Sequence, residues 1–301
     1  MEKIIVTGGA GFVGSHIVDA LIEQGYEVHI IDNLSGGKKE NVNPKAVLHV
    51  LDICDKNSIT PLFKGVKYVF HEAALPRVQY SIENPIETHQ VNVLGLLNVL
   101  EASRENNIKR VIYAASSSAY GNSEVLPLKE SFKPSPLSPY GAQKYIGEVY
   151  CDVWSKVYGL ETVSLRYFNV YGPRLNLNGA YPLVIGLFIK QCLDGQPLTI
   201  TGDGEQTRDF THVYDIVKAN ILAMTSEKVG HGEVINIGSS NNISINFLAK
   251  LFEREIKYIP ERFEPKHTLA DRSLAKELLG WEPKMDFSEA IQALKKEFNV
   301  Q

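Results

Sequence analysis

The feature that most restricts the fold is a series of short, almost continuously apolar runs separated by longer amphipathic stretches. Ile4-Ile5-Val6 and Val28-His29-Ile30-Ile31 are two of these runs. A strand that is apolar on both faces needs helices on both sides of its sheet, which is typical of parallel sheets. Six strands are predicted on this basis: Lys3–Thr7, Glu27–Ile31, Ala46–Leu51, Val66–Phe70, Arg110–Ala114 and Thr162–Leu165.

The stretches between these strands carry apolar residues three and four positions apart, as expected for helices that bury one face. The longest are Phe12–Gln24, Ile82–Asn106 and Ser138–Val157, each predicted as a helix. Strands and helices that alternate in this way predict an α/β fold. We expect a Rossmann-type, doubly wound parallel sheet over residues 1–166.

After residue 166 the chain becomes rich in Gly, Pro and Asn turns, which predicts a smaller C-terminal substrate-binding lobe. One helix is predicted there from Tyr181 to Leu193. A helical pattern at Val213–Thr225 and an apolar run at 233–237 indicate that the chain returns to the first domain. We therefore expect residues 1–166, rejoined by about 212–240, to form one domain. Residues 167–211 and 241–301 form the lobe, with helices near Asn246–Glu255 and Phe287–Phe298.

Composition excludes several classes of partner. Lys and Arg number 31 against 35 Asp and Glu, and the net charge of −4 provides no basic field for nucleic acid. No run reaches the ~18 apolar residues of a membrane span, and no cleavable apolar segment follows Met1, so we expect a cytoplasmic protein. Cys54, Cys151 and Cys192 are far apart and the eight histidines are scattered, so neither disulfides nor metal sites are predicted.

A glycine-rich turn joins the first predicted strand to the first helix. Gly8, Gly11 and Gly14 permit a sharp turn, close approach of the backbone to a pyrophosphate and tight packing of helix on strand. The free amides of a helix N-terminus favour such an anion. Asp32 ends the second strand about 20 residues later, where a carboxylate can accept hydrogen bonds from ribose hydroxyls. The pattern predicts a dinucleotide site, and because a carboxylate repels the 2′-phosphate of NADP, it favours NAD.

Tyr140 and Lys144 are four residues apart in a predicted helix and therefore share one face. An ammonium beside a phenol favours the phenolate and is expected to lower the tyrosine pKa from about 10 towards neutrality. Tyr140 is thus predicted to be a catalytic base. The spacing alone is typical of many helix surfaces, but here it occurs together with the glycine turn and with the run Ser116-Ser117-Ser118 after a strand.

The chain resembles the extended short-chain dehydrogenase/reductase family over nearly its whole length. The stretch Gly202–Phe210 resembles the nucleotide-sugar epimerase/dehydratase branch of that family, and within it the UDP-sugar 4-epimerases. The other motifs that carry the resemblance are Thr7–Gly14, Asn92 within Val91–Gly95, the serine run, the Tyr140/Lys144 pair and Leu165–Arg174.

The resemblance implies NAD as a tightly held cofactor and reversible epimerisation at carbon 4 of a UDP-hexose through a 4-keto intermediate. The predicted catalytic residues are Tyr140, Lys144 and Ser116, the last as hydrogen-bond partner of the reacting oxygen. The predicted NAD-binding residues are Gly8, Gly11, Phe12, Val13, Gly14, Asp32, Asn33, Ser35, Gly36, Asp52, Ile53, Ala73, Ala74, Asn92, Tyr140, Lys144 and Phe168. The predicted substrate-binding residues are Ser116, Ser118, Asn169, Thr199, Arg208, Arg262, Thr268 and Asp271.

Several of these assignments have alternatives. Arg208 suits a diphosphate but is also consistent with a surface ion pair to Asp209 or Glu205. Arg262 is the candidate second diphosphate contact, with Lys266 as the alternative, because this segment departs from the family pattern. Arg77 replaces a residue that is small or polar in relatives. It either contacts substrate at the edge of the cleft or caps the next helix.

The resemblance also bears on substrate and reaction. In similar epimerases the position three before Asp271 lines the sugar pocket, and the small residue Thr268 there leaves room for an N-acetyl group. UDP-GlcNAc and UDP-GalNAc are therefore expected substrates beside UDP-Glc and UDP-Gal. A dehydratase or decarboxylase is the alternative enzyme, but related dehydratases carry Thr-Asp-Glu where this chain has Ser116-Ser117-Ser118. A dinucleotide sensor without chemistry would have no need of Tyr140 and Lys144.

A homodimer is expected from the predicted helices Ile82–Asn106 and Ser138–Val157. Their apolar positions exceed what one face of a sheet requires, and in relatives the corresponding pair forms a four-helix contact. The residues concerned are Val91, Leu94, Leu97, Val149 and Val153.

Overall fold

The computed structural model describes residues 1–177, 183–261 and 265–300. The strands are β1 Lys3–Thr7, β2 Glu27–Ile31, β3 Val47–His49, β4 Val66–His71, β5 Arg110–Ser116, β6 Glu161–Tyr167, β7 Val170–Tyr171, β8 Leu198–Thr201, β9 Thr207–Asp209, β10 Thr211–His212, β11 His231–Ile237, β12 Asn242–Ser244 and β13 Ile256–Ile259. The α-helices are α1 Phe12–Glu23, α2 Lys56–Ile59, α3 Val78–Glu83, α4 Pro85–His89, α5 Gly95–Glu105, α6 Pro139–Tyr158, α7 Val184–Leu193, α8 Val213–Thr225, α9 Ile245–Lys250, α10 Ser273–Leu279 and α11 Phe287–Glu297.

Seven strands form one sheet, in the order β11-β6-β5-β4-β1-β2-β3, and every neighbouring pair is parallel. The chain starts near the middle of the sheet, builds outward to β3, and then crosses back to β4. That reversal leaves a crevice at the carboxyl ends of β1 and β4, where ligands of open α/β sheets bind. The predicted doubly wound α/β fold is confirmed.

The alternation of side chains along each strand divides the core of the sheet in two. Ile4, Val6 and Ile30 point into one apolar cluster, which also holds residues of α1 and α8. Ile5 and Ile31 point into the other, which holds residues of α5 and α6. Helices cover both faces, as the apolar runs of the sequence require.

The residues after Tyr167 form three small two-stranded sheets in the described part of the chain: β7 with β10, β8 with β13, and β9 with β12. A third apolar cluster packs here, with Phe188, Phe252 and Ile291 fully buried. The strand β11 joins the main sheet beside β6. The division of the chain into a cofactor domain and a substrate lobe stays a proposal that this third cluster supports.

The predicted helix Ile82–Asn106 is not continuous. It is divided into α3, α4, a π-helical turn at Gln90–Leu94, and α5. Pro85 causes the first break because the residue before a proline is kept out of the helical region, and Asn84 has φ −129° and ψ 59°. The predicted start of the next helix at Tyr181 lies outside the described residues, and α7 begins at Val184.

No helix within the described ranges is both long and apolar enough to cross a membrane.

Candidate active site

The turn between β1 and α1 is built on close backbone contacts. Gly8 has φ +70°, and a Cβ there would lie 2.7 Å from the backbone nitrogen of Ala73. A Cβ on Gly14 would come within 2.3 Å of the Gly8 carbonyl oxygen. Gly11 precedes α1, and no side chain caps the helix. The first amides of α1, which include those of Phe12 and Val13, therefore have no side-chain acceptor, as an anion site requires.

Asp32 holds this turn in place. Its carboxylate accepts hydrogen bonds from the Ala10 amide at 3.0 Å and from the Leu34 amide at 2.8 Å. Each carboxylate oxygen accepts only one of these bonds, so both keep lone-pair capacity for further donors. The buried carboxylate therefore lies beside the glycine turn, as the sequence pattern predicts.

The loops after β2 and β3 meet through side chains. Asn33 donates to the Asp52 carboxylate at 3.0 Å and accepts bonds from the amide and hydroxyl of Ser35. Burial raises the pKa of Asp52, but hydrogen bonds from Cys54 and Asn33 outweigh it, and the pKa of Asp52 is lowered. Ile53 is buried under α5. The predicted residues Asn33, Ser35 and Asp52 thus lie together, and the exposed Gly36 follows in the same loop.

The side-chain amide of Asn92 makes its hydrogen bonds to other groups of the protein. Its amide accepts the Leu75 N–H at 2.8 Å and donates to the Leu75 carbonyl and to the side chain of Gln143. These bonds hold the loop that contains Ala73 and Ala74. They also give the buried side chain of Gln143 a partner. The predicted contact of Asn92 with NAD stays a prediction, and the structure gives this side chain a positioning role.

Tyr140 and Ser116 meet where β5 ends and α6 begins. Ser138 caps α6 by accepting the Gly141 amide, and Gly141 packs so closely on the serine turn that a Cβ would lie 2.7 Å from the Ser118 carbonyl oxygen. The Ser116 hydroxyl lies close enough to the Tyr140 phenol to lower its pKa. Ser116 also accepts both the amide and the hydroxyl of Ser118, the latter at 2.7 Å. With both lone pairs used, the Ser116 hydroxyl is left to act as a donor.

The electrostatics of Tyr140 differ from the expectation. Burial raises the pKa of Tyr140, and the Ser116 hydrogen bond and the Arg77 charge, which lower it, do not compensate. The expectation that Lys144 lowers the pKa of Tyr140 is therefore wrong for this structure. The reason is that the Lys144 ammonium donates to the Ala114 carbonyl at 2.6 Å and lies over the Tyr113 ring.

Glu72 is a site residue that the sequence reasoning missed. It directly follows β4, and its carboxylate accepts the Tyr167 hydroxyl at 2.8 Å. Burial raises the pKa of Glu72 and lowers that of Lys144, while the charge of each stabilises the ionised form of the other. The charge of Glu72 also raises the pKa of Tyr140. A carboxylate directly after an apolar strand was the available signal, because that position lies at the ligand-binding edge of the sheet.

A cavity of about 240 Å³ lies among the elements after β6. Asn169, Thr199 and Arg208, all predicted to bind the nucleotide, line it. Arg208 is buried and donates to the Thr207 carbonyl, so it is not the surface side chain of the alternative interpretation. Thr199 is bound to Gln191 through its hydroxyl and its amide.

The remaining predicted residues have mixed positions. The Thr268 hydroxyl accepts the Asp209 amide at 3.3 Å and lies 3.5 Å from the Asn169 amide nitrogen, beside the cavity. The Asp271 carboxylate instead accepts the Ser273 amide at the start of α10. Phe168 packs fully buried against Tyr120 and Leu128, so only its backbone is available to a ligand. Arg262 lies outside the described residues.

Within the described parts of the chain, no group of three or more His, Cys, Asp or Glu side chains could hold a metal ion.

The comparisons with known proteins agree with this geometry. A family model for the NAD dependent epimerase/dehydratase family matches residues 4–238. A Methanocaldococcus jannaschii protein provisionally named UDP-glucose 4-epimerase is 43% identical over 298 residues, covering 96% of each chain. Other matches are a Thermodesulfobacterium geofontis UDP-glucuronate 4-epimerase, 34% identical over 97% of this chain and 94% of that protein, and a Xenopus tropicalis UDP-glucuronic acid decarboxylase 1, 33% identical over 96% and 70%.

Solved structures give the same picture. The Thermotoga maritima UDP-glucose 4-epimerase with UDP-glucose superposes with a TM-score of 0.94 at 40% identity, covering 99% of this chain and 98% of that one. The Methanobrevibacter ruminantium UDP-N-acetylglucosamine 4-epimerase with UDP-N-acetylmuramic acid gives a TM-score of 0.94 at 41% identity, with the same coverage.

Proposed function

Because the chain belongs to the NAD-dependent epimerase/dehydratase family, we propose that it interconverts UDP-hexoses that differ in configuration at carbon 4, through a 4-keto intermediate. The observation that carries the proposal is the joint position of Tyr140, Ser116 and Lys144 at the sheet edge that also carries the glycine turn. UDP-Glc with UDP-Gal, and UDP-GlcNAc with UDP-GalNAc, are the proposed substrate pairs.

NAD is the cofactor of this family, and the residues present fit it. A Cβ on Gly8 or Gly14 would clash with neighbouring backbone, so the tight turn needs both glycines, and the uncapped start of α1 suits a diphosphate. Asp32 suits the adenosine ribose and disfavours NADP. When bound, NAD supplies the hydride acceptor and donor for carbon 4 of the sugar.

The side chains of this protein handle the proton. Tyr140 removes the proton of the 4-hydroxyl and returns one to the same oxygen, as general base and then general acid. Ser116, whose hydroxyl accepts two bonds from Ser118 and is left to donate, stabilises the oxygen on carbon 4 while the charge of that oxygen changes. Lys144 lies in the same charge network as Glu72 and favours the ionised form of that carboxylate. The cavity at Asn169, Thr199 and Arg208 holds the nucleotide, so that the sugar is free to turn between the two half-reactions.

The dehydratase alternative needs a further acid and base to eliminate water. Ser117 and Ser118 supply no carboxylate, and Glu72, the carboxylate that the described residues place near Tyr140, is engaged by Tyr167. Tyr167 in turn accepts the Asn220 amide at 2.7 Å, so this carboxylate is fixed by a buried chain of bonds. Epimerisation is therefore the proposed reaction.

The proposal is tested by incubating the purified protein with each of the four UDP-sugars and separating the products. Interconversion at carbon 4, without loss of water or carbon dioxide, is the expected result. Formation of a dehydrated sugar, or no reaction with any of the four, contradicts it. Matched incubations with added NAD and NADP determine whether Asp32 selects NAD.

A further inference from the structure

Arg77 is the charged residue near Tyr140 whose role the proposed reaction does not explain. It lies in the loop after β4 and directly precedes α3. Asn92 fixes both backbone groups of Leu75, two residues before it, and Ser81 of α3 accepts the Tyr140 amide at 3.0 Å. The loop is thus held on both sides of Arg77. Its half-buried side chain lies close enough to Tyr140 for its charge to lower the pKa of that phenol.

The guanidinium has an unusual charge environment. In the ranges that the structure describes, the side chain of Arg77 makes no hydrogen bond, ion pair or ring contact, and the phenol of Tyr140 is the titratable group that its charge meets. The buried arginines Arg110 and Arg166 are instead paired with Glu161 and Glu148. A partly desolvated cation without a counter-charge is unfavourable, so a residue of this kind is suited to an anion that arrives with a ligand.

The other anions of the bound ligands have sites elsewhere. The dinucleotide diphosphate fits the turn at Gly8–Gly14. The nucleotide of the substrate fits the cavity at Arg208, which is lined by residues 169–245 and to which the loop of Arg77 does not contribute. The remaining position is next to the Tyr140 phenol, which handles the oxygen on carbon 4. An anion bound there belongs to the sugar itself, on a carbon adjacent to the reacting one or on its substituent.

We propose that Arg77 binds a carboxylate carried by the sugar, and that the protein therefore takes a nucleotide-linked sugar acid in preference to the neutral sugar. The inference rests on the proposed function for the placement of the sugar at Tyr140. A guanidinium binds a carboxylate through two parallel hydrogen bonds, and this pairing is stronger than any contact it makes with a neutral hydroxymethyl group. The carboxylate is either carbon 6 of a hexuronate or part of an acidic ether on oxygen 3.

The test measures binding separately from turnover. In a Tyr140→Phe background, which removes the reacting phenol, dissociation constants are measured by calorimetry with NAD present. The ligand pairs are UDP-glucuronate against UDP-glucose, and UDP-N-acetylmuramate against UDP-N-acetylglucosamine. The first pair reports a carboxylate on carbon 6 and the second one on oxygen 3. Arg77→Gln removes the charge at similar length, Arg77→Lys keeps it, and Arg254→Gln, at an exposed arginine, is the matched control.

We expect one acid to bind more tightly than its neutral counterpart. Arg77→Gln should raise the dissociation constant of that acid by about 10- to 100-fold, the range of a charge-assisted pair. The dissociation constants of the neutral sugars change less than about threefold in Arg77→Gln. Arg77→Lys recovers part of the affinity for the acid, and Arg254→Gln leaves all the dissociation constants unchanged. The proposal is overturned if neither acid is preferred, or if Arg77→Gln weakens acid and neutral ligands equally. Failure of the proposed function is seen separately, as absence of epimerisation of every UDP-sugar by the unmodified protein.

Discussion

At the scale of single residues, the phenol oxygen of Tyr140 is the group on which the reaction depends. We expect Tyr140→Phe to lower kcat by about 100-fold or more, the contribution of a general acid and base. Folding and NAD binding change little, because the amide of residue 140, not its hydroxyl, bonds Ser81. Steady-state kinetics together with thermal unfolding check this. A variant within threefold of the unmodified protein would mean that another group moves the proton.

The negative charge of Glu72 contributes to the raised pKa of Tyr140. Burial raises the pKa of Tyr140, and the carboxylate of Glu72 raises it further, so the phenolate is favoured as pH increases. We expect kcat/KM to rise with pH on its acid side. Glu72→Gln removes a negative charge and should move this rise to lower pH. The exposed Glu124→Gln is the control and leaves the profile in place. If the rise of kcat/KM occurs at the same pH or at a higher pH in Glu72→Gln, the charge of Glu72 does not raise the pKa of Tyr140.

Thr268 is the residue expected to decide whether an N-acetyl sugar fits. Its small side chain lies beside Asn169 at the edge of the cavity. A tyrosine there would overlap the volume of an acetamide, and packed pockets absorb such overlap only at about 1–3 kcal/mol. We therefore expect Thr268→Tyr to lose at least 10-fold in kcat/KM on UDP-GlcNAc and to keep its activity on UDP-Glc. Equal loss on both sugars would show that Thr268 only supports the fold through the Asp209 amide.

At the scale of elements, the sequence predicts the strands well and one helix poorly. The apolar runs that require a sheet covered on both faces correspond to β1–β6, and the glycine turn and Asp32 lie together as predicted. The break at Asn84-Pro85 was readable from the proline alone. The short strands β8 and β13 could not be predicted from the sequence, because they pair only when distant parts of the chain meet.

The two helical segments expected to form the dimer carry apolar side chains on the surface. Leu94, Val149 and Val153 are exposed, whereas Val91 and Leu97 pack partly on the core. We expect a dimer at micromolar concentration, and Leu94→Glu with Val153→Glu should convert it to a monomer, because the contact would bury the introduced charges. Val125→Glu, at an exposed position outside α5 and α6, is the control. Light scattering measures the mass. A monomeric unmodified protein contradicts the prediction.

At the scale of the whole molecule, the candidate site joins segments that are remote in sequence. Residue types and spacing were sufficient to predict the glycine turn and the shared helix face of Tyr140 and Lys144, because each motif is local, whereas the role of Ser116 came from the resemblance to the family. Glu72 and Tyr167 are 95 residues apart, and their bond exists only because β4 and β6 flank β5 in one sheet. The net charge around Tyr140 depends on such contacts. This is why the direction of its pKa shift could not be deduced from the spacing of Tyr140 and Lys144.

The central claim is that carbon 4 is oxidised and reduced again within one site, without loss of any group from the sugar. Its most direct test is proton NMR of UDP-glucose deuterated at carbon 4, incubated with the purified protein in ordinary water. The account predicts UDP-galactose that retains deuterium at carbon 4, because the hydrogen taken from that carbon returns to it. Loss of the label to solvent, formation of a dehydrated sugar, or a product that keeps the configuration of glucose would contradict it.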